Sequence, residues 1–530
     1  MAAFLSVAIA AQSVTTASPG RQAAAEARPA AAARTEATAR SSAAARSNSV
    51  AERLEPLLRR LSLPGQAFVG LAVADPDTGE LLYTSSGNML FVPASNTKLF
   101  ATALALSRLG PDHRMETRLS MDGAFLPARG ELRGHLILAG AGDPSISGRT
   151  YPYAAETARQ RQDPLAALEP FADAVAARGI RVIHGDIIGD DTAYDWEPFR
   201  EGWSQDDALY GYGAPVSALT VNDNALRMTI RPGAKAGEPA VIELTPEIGY
   251  FDVLNEVATV QGGAARMDWE RLSAQRLLVV RGQLPAGSPA HAETVAVDDP
   301  ALFAAHALRH LLLQKGVEVR GVARARHRMH FQPGTRDGET NQRPADSSLI
   351  HLRLSPPLAE LLAVVNKESQ NLHAEMLLLE VARAASGSGS RARAFQELSA
   401  FLREARIAPE AVRLADGSGL ARLNLVSPEA TVALLSAMWR GPHRAVWLAS
   451  LPVGAAEGTL RNRFAGDARA AAILAKTGTL RGVIALSGYA RTPSGRTLAF
   501  SAMVNNHGGP SSQSREFLDT IALELASLPE

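Results

Sequence analysis

The stretch of this chain that reads as ordered begins and ends in strand-like sequence, and no other feature constrains its fold as much. Gln66–Ala74 is β-rich and alternating, Asp75-Pro-Asp-Thr-Gly79 is a turn, and Glu80–Thr84 resumes the alternation, so the three together predict a hairpin. Near the other terminus Ala472–Lys476, Val483–Ala490 and Thr497–Asn505 read as three strands, the latter two joined by Thr492-Pro-Ser-Gly. A last helix is expected over Ser514–Ser527. Between these ends lie helical patterns. After Pro93 the period changes, and Leu99, Ala103 and Leu106 predict a buried helix that starts close to Ser95 and stops at Gly110-Pro111. Leu354–Glu380 is amphipathic and helical, interrupted around Asn366–Asn371. The expectation is an α+β fold, its antiparallel sheet closed by both chain ends and flanked by helices.

The region from about 120 to 345 holds many short β-like runs, with turns such as Arg231-Pro-Gly and Gln332-Pro-Gly, and no fixed-period repeat. At 530 residues two or more compact units are expected. Residues 1–49 read as an atypical secretory signal and a disordered linker. Met1–Ala11 is apolar but short and lacks a basic flank, and an A-x-A-like cleavage site lies within Arg21–Ala25. Export is therefore expected, to a periplasmic or other extracytoplasmic place. No run of 18 apolar residues follows, so no transmembrane helix is predicted.

Charge excludes some functions and sharpens others. Basic and acidic residues balance at 54 each, which favours neither a nucleic-acid partner nor a polybasic membrane anchor. Cysteine is absent, so disulfides and thiolate metal sites are excluded, and none of the 12 histidines has metal-ligand spacing. No cofactor is expected. The positive charge is carried by 49 arginines and only five lysines: Lys98, Lys235, Lys315, Lys367 and Lys476. A lysine, unlike an arginine, can give up its proton when buried or crowded by charge. Lys235 and Lys315 suit a solvated surface.

The other three lysines fall in short motifs. Ser95-Asn-Thr-Lys98 places serine and lysine nearly one helical turn apart, on one face and within contact range. At a helix start, free N–H groups and the positive dipole end favour a developing oxyanion. Lys98, against an apolar helix and a second cation, is the candidate base for Ser95. The second segment is Asn366-Lys-Glu-Ser369-Gln-Asn371 and the third Ala475-Lys476-Thr477-Gly478-Thr479. Ser-x-x-Lys, Ser-x-Asn and Lys-Thr-Gly, in that order, match the three-part set of penicillin-recognising serine enzymes. On that match Ser95 is the nucleophile, and the amides of Ser95 and Thr479 form the oxyanion hole. Ser369, within reach of both lysines, relays a proton to the leaving amine, and Asn371 holds the substrate amide. Lys476, Thr477 and Thr479 receive a terminal carboxylate, and Gly478 allows close approach to the strand edge. An extended peptide would add along that edge as a strand.

The chain resembles the D-alanyl-D-alanine carboxypeptidases/endopeptidases of the class C, type-4, low-molecular-mass penicillin-binding proteins. The likeness spans about 50–530 and rests on the three motifs and on further stretches, among them Gly134–Asp143, Gly185–Asp190, Gly213–Ser217, Ser355–Leu358 and Asp416-Gly-Ser-Gly-Leu420. It implies a β-lactamase/transpeptidase-like catalytic domain over 50–111 and 348–530, with a large β-rich insertion at 112–347. The 274 residues between Ser95 and Ser369 fit such an insertion and far exceed the spacing in simple β-lactamases. Gln370 stands where β-lactamases often have Asp, between the two side chains that carry roles. The resemblance further implies peptidoglycan stem peptides and cross-links as substrates, β-lactams as covalent inhibitors, and an insertion acid at the site mouth that recognises the amino end of a diaminopimelate-type side chain. Counting from Gly202-Trp203, that acid is Asp207, with Asp206 the alternative.

Other residues have plainer expectations. Asp143 and Asp416 suit turns, His373 suits packing, and Ser418 in Gly-Ser-Gly lacks the nucleophile-elbow pattern. Two other functions fit less well. A β-lactamase or esterase would need a dedicated deacylating base, and no Glu stands in the usual motif context. A catalytically silent wall-binding scaffold would have no use for intact Ser95, Lys98, Ser369 and Lys476.

Overall fold

The computed structural model describes residues 49–59, 66–155, 162–272, 275–329, 348–464 and 466–529. The expected signal and linker, and the Gln332-Pro-Gly turn, lie outside the described residues. Five strands form the sheet that both ends of the chain enter: β1 (Phe68–Ala74), β2 (Leu81–Ser85), β3 (Ile473–Leu480), β4 (Val483–Arg491) and β5 (Thr497–Asn505). Their order is β3-β4-β5-β1-β2, antiparallel throughout, with Phe68 opposite Asn505 and Ala74 opposite Ala499. The expected hairpin is β1–β2. The first of the three C-terminal strands runs on to Leu480, past the Lys476 at which its sequence pattern ended, so Thr477-Gly-Thr479 lies inside β3.

Period-2 alternation gives the two sheet faces different side chains. One face carries Leu71, Val73, Ile484, Leu486, Phe500 and Val504, which pack on the last helix and on helical residues 49–59. The other face is built of small residues, including Ala72, Ala485, Ser487, Ala499 and Ser501, all buried. Small side chains let helices lie close. α4 (Pro428–Arg440) packs directly on β1 and β5, and α1 (Thr97–Leu109), α2 (Leu358–Lys367) and α3 (Asn371–Ser386) share its apolar core, while α5 (Ser511–Leu525) covers the large-residue face. Phe500 is fully buried at the centre of the large-residue cluster. Phe500→Ala should cost about 3–5 kcal/mol, read as a lowered urea midpoint at unchanged slope.

α1 is buried from Thr97 through Leu106, as expected of a helix enclosed on every side, and it ends at Gly110 with φ +78° ahead of Pro111. Before it, Ala94–Asn96 form a 3-10 turn, so Ser95 sits just outside the α-helix proper.

Between α1 and α2 the described residues form three more sheets. In the largest, seven-stranded one, Glu116–Leu126 and Glu131–Gly140 make a hairpin, and Leu349–Leu354 returns antiparallel to Glu116–Leu126. Ile187–Asp195 and Ala323–Arg328 add to it in parallel. Two three-stranded sheets follow from Ala225–Arg231 to His291–Ala296. The inserted residues are β-rich, but they also carry helices Glu169–Ala177 and Pro300–Gln314, which the reading of short β runs did not foresee. Phe171, Val175, Phe303 and Leu308 on these helices share one core with Leu132, Leu136, Met228 and Leu278 of the sheets. From this region residues 196–212 reach the loop 416–421, where Trp203 Nε1 donates to Asp416.

Candidate active site

The 3-10 turn brings Ser95 against β3. A β-carbon on Gly478 would stand 2.6 Å from the Pro93 carbonyl oxygen, so that strand position tolerates no side chain. Asn96 donates to Ser487 Oγ at 2.8 Å, and Ser487 donates to Ser501, which ties the turn to the sheet through buried hydroxyls. Ala94 takes φ +48°, a left-handed conformation rare for a residue with a side chain and stored next to Ser95.

Lys98 and Lys476 are fully buried; Lys235 and Lys315 are exposed. Lys98 Nζ lies 3.0 Å from Ser95 Oγ, 2.6 Å from Asn371 Oδ1 and 2.5 Å from the Ser418 carbonyl oxygen. The last two atoms can only accept. A neutral amine has two N–H bonds to give them, which turns its lone pair toward the Ser95 hydroxyl. Burial lowers the Lys98 pKa to about 7, against Asp416 and Glu375, whose negative charge pulls it up. This differs from the sequence reading in one respect. Crowding by a second cation acts on Lys476, whose affinity is pushed well down by burial first and by Lys98 second.

Lys476 Nζ donates to Ser369 Oγ at 2.8 Å and to the Thr477 carbonyl at 2.9 Å. Ser369 sits between α2 and α3 at φ +62°. It was expected within reach of both lysines, yet the three partners of Lys98 are Ser95, Asn371 and Ser418, and Ser369 bonds Lys476. Gln370 caps α3, its side-chain oxygen accepting from the Leu372 amide at 2.9 Å, which explains an amide at the middle of this motif. Asn371 Nδ2 donates to the Tyr212 carbonyl at 2.8 Å, so both ends of its amide are engaged before substrate arrives. The Thr477 hydroxyl donates to Thr459, and Thr479 is exposed.

A loop that the sequence reading treated as a turn closes the site from behind. Asp416 is fully buried and accepts from the amides of Gly419 and Ala421, the Asn424 side chain and Trp203 Nε1. Glu375, on α3, accepts from the amides of Gly417 and Ser418 at 2.9 and 2.7 Å, and Arg200 Nε donates to its other oxygen at 3.1 Å. Ser418 is buried and donates to Asp416; its carbonyl, not its hydroxyl, meets Lys98. Glu375, Arg200 and the Ser418 carbonyl were missed by motif reading. The available signal was an acid in a largely apolar helix, four residues after Asn371 and so on its face.

These elements enclose a cleft of about 770 Å³ lined by Ser95, Ser369, Asn371, Thr479 and, from the insertion, Trp203 and Asp207, with Arg422 and Arg481 also on its wall. Asp207 is both wall and turn cap: its carboxylate accepts from the Ser204 amide and the Tyr212 hydroxyl, each at 3.1 Å. The alternative, Asp206, is exposed and is not among the residues that line the cleft. Asp143 serves a turn through the Ser145 amide, and His373 is buried against Asp223 at 3.0 Å rather than in apolar packing alone. Among the described residues no group of three or more His, Asp or Glu could hold a metal ion.

A serine in an open cleft, a buried amine of low proton affinity on its hydroxyl, and an antiparallel sheet behind them define a serine-type peptidase working through an acyl-enzyme. Known proteins agree. The profile of the D-Ala-D-Ala carboxypeptidase 3 (S13) family matches residues 50–525, and the chain belongs to that family. It is 34% identical over 491 residues to a D-alanyl-D-alanine carboxypeptidase of Actinomadura sp. (strain R39), covering 90% of this chain and 84% of that one. It is 25% identical over 460 residues to the D-alanyl-D-alanine carboxypeptidase DacB of Haemophilus influenzae, covering 84% and 87%. The crystal structure of penicillin binding protein 4 (dacB) from Haemophilus influenzae superposes with a TM-score of 0.72 at 22% identity, over 90% of this chain and 97% of that one, a likeness of fold.

Proposed function

We propose that this chain cleaves D-alanyl-D-alanine ends of peptidoglycan stem peptides, and D-alanyl cross-links between them, with Ser95 as nucleophile. The observation that carries the reading is the environment of Lys98: two obligate acceptors, a serine hydroxyl at 3.0 Å, and a pKa near 7. Neutral Lys98 takes the Ser95 proton as Oγ bonds to the carbonyl carbon. The oxyanion is met by the amides of Ser95 and Thr479. The C–N bond then breaks as Ser369 passes its proton to the leaving amine and takes one from Lys476, to which it is hydrogen-bonded. Water attacks the ester, its proton replacing the one Lys476 gave up, and Lys98 returns the proton it holds to Oγ as the ester C–O bond breaks, which restores Ser95.

Lys476, Thr477 and Thr479 would hold the substrate carboxylate. Among the described residues Lys476 meets hydroxyl and carbonyl oxygens and no carboxylate, so an incoming anion supplies the missing counter-charge. Val453 bridges Leu474 and the Pro452 carbonyl accepts from Ala475, closing the outer edge of β3 at its start. Past that point Thr479 and Leu480 face the cleft, where an extended peptide would lie as an added strand. Asp207 would recognise the amino end of the stem side chain. The catalytic domain comprises 50–111 and 348–530 and the insertion 112–347, with Leu349–Leu354 pairing back onto the inserted sheet. The substrate places the work outside the cytoplasm, in keeping with a leader-like start. Among the described residues no helix is long and apolar enough to cross a membrane.

Digestion of purified monomeric and cross-linked muropeptides, with product masses read out, tests the reading: loss of terminal D-Ala, and separation of cross-linked dimers, are expected. A labelled penicillin should give a long-lived adduct on Ser95, and Ser95→Ala should give none while keeping its melting temperature. Intact muropeptides after incubation with folded protein would sink the proposal. Rapid turnover of the penicillin label would instead favour a β-lactamase.

A further inference from the structure

The two carboxylates whose charge acts on Lys98, Asp416 and Glu375, are both held by one short stretch of the insertion. Arg200 Nε donates to Glu375, and Trp203 Nε1 donates to Asp416 at 2.8 Å. Arg200 and Glu375 are almost wholly buried, with side-chain exposures of 2% and 1%. Glu375 does not itself line the cleft; it acts on the amides of Gly417 and Ser418, and the Ser418 carbonyl is the atom that meets Lys98. We infer that Glu375 is a positioning residue for the general base, kept ionised by Arg200, and that through this pair the insertion sets the proton affinity of Lys98. The inference rests on Lys98 acting as the base.

The groups facing Glu375 are the amides of Gly417 and Ser418 and the Arg200 guanidinium, which favour its anion, and Asp416, which opposes it; burial opposes it most. Without Arg200 a carboxyl buried beside another carboxylate takes up a proton. The groups facing Lys98 are Ser95, Asn371, the Ser418 carbonyl, the Lys476 amine, and the carboxylates Asp416 and Glu375. Negative charge on Glu375 raises the affinity of Lys98 for its proton, opposing burial. A base drawn too far below neutrality would be free at every working pH but too weak to accept the serine proton. Glu375 keeps Lys98 near neutrality and fixes the carbonyl that orients it. Trp203 also lines the cleft, so the wall that meets substrate and the clamp on the base's surroundings are one piece of chain.

The test is the pH profile of acylation by a chromogenic penicillin, read together with the titration of ¹³Cε-lysine NMR signals, which five lysines make assignable. Glu375→Gln preserves the amide acceptor and removes the charge. The acid limb of the profile and the Lys98 titration should both move down by about one pH unit. Arg200→Gln should move both the same way, because Glu375 then protonates, and Arg200→Lys should restore the wild-type limb. A merely structural role would lower the rate or the melting temperature without moving the limb. An unmoved or upward-moving limb in Glu375→Gln, or an upward shift in Arg200→Gln, would overturn the inference; should Glu375→Gln fail to fold, the two Arg200 variants decide it. A wild-type limb that survives in Lys98→Arg would instead remove the base assignment itself, a separate outcome.

Discussion

Lys98→Arg is expected to reduce acylation of Ser95 by about a thousandfold or more while leaving the fold intact. Arginine keeps the positive charge but does not release its proton in a protein, so the hydroxyl loses its acceptor. The surroundings of Lys98 suit an amine that is neutral part of the time. Two of its three partners accept only, and burial outweighs the pull of Asp416 and Glu375 to hold its pKa near 7. The sign of the pH dependence follows. The neutral amine is the active form, so acylation in the wild type should rise about tenfold per unit up to about pH 7 and flatten above it. Stopped-flow acylation with a chromogenic penicillin, on protein checked for its melting temperature, measures both. An arginine variant that acylates at the wild-type rate, or a wild-type profile flat through the acid range, would show that another group takes the proton.

Gly419→Ala is the second large effect, and it acts through shape. Gly419 has φ +84°, and a β-carbon there would lie 1.9 Å from the Ala94 carbonyl oxygen and 3.0 Å from the Ser95 amide nitrogen. Both atoms are backbone, so no side chain can swing aside. Either the loop 416–421 backs away, withdrawing the Ser418 carbonyl from Lys98, or the turn that carries Ser95 shifts toward the cleft. A left-handed alanine with such a contact should destabilise the protein by about 2–4 kcal/mol. Acylation should fall at least tenfold even well below the melting temperature, because small misplacements of a nucleophile are costly to rate. Thermal unfolding and acylation rate, measured on one preparation, check the two parts. Wild-type values for both would mean that the loop and the nucleophile turn are not in tight register.

Much of the site was legible because its chemistry is local. Ser95 and Lys98 share a helix face by spacing alone, and a lysine kept in a chain of arginines marks a position where an ammonium does what a guanidinium cannot. The sheet was legible for a similar reason: alternation shows in sequence, and strands at both termini have few ways to pair other than with each other. The helices in the insertion were not. Pro300–Gln314 is apolar on most sides, so it shows little of the periodic contrast that marks a surface helix. Glu375 and Arg200 were hidden for a different reason. They are 175 residues apart, and nothing in either neighbourhood says that an acid and a base will be buried together.

Sequence alone, then, nominated the side chains for the chemistry and gave the order in which the chain presents them, since those depend on residue type and on spacings of a few residues. Tertiary structure decided what those side chains can do. The proton affinity of Lys98, the diversion of Ser369 to Lys476 and the grip of Arg200 on Glu375 all arise from burial and from contacts between distant segments. Electrostatic energy in a protein depends on distance through space and on exclusion of water, and neither can be read from separation along the chain.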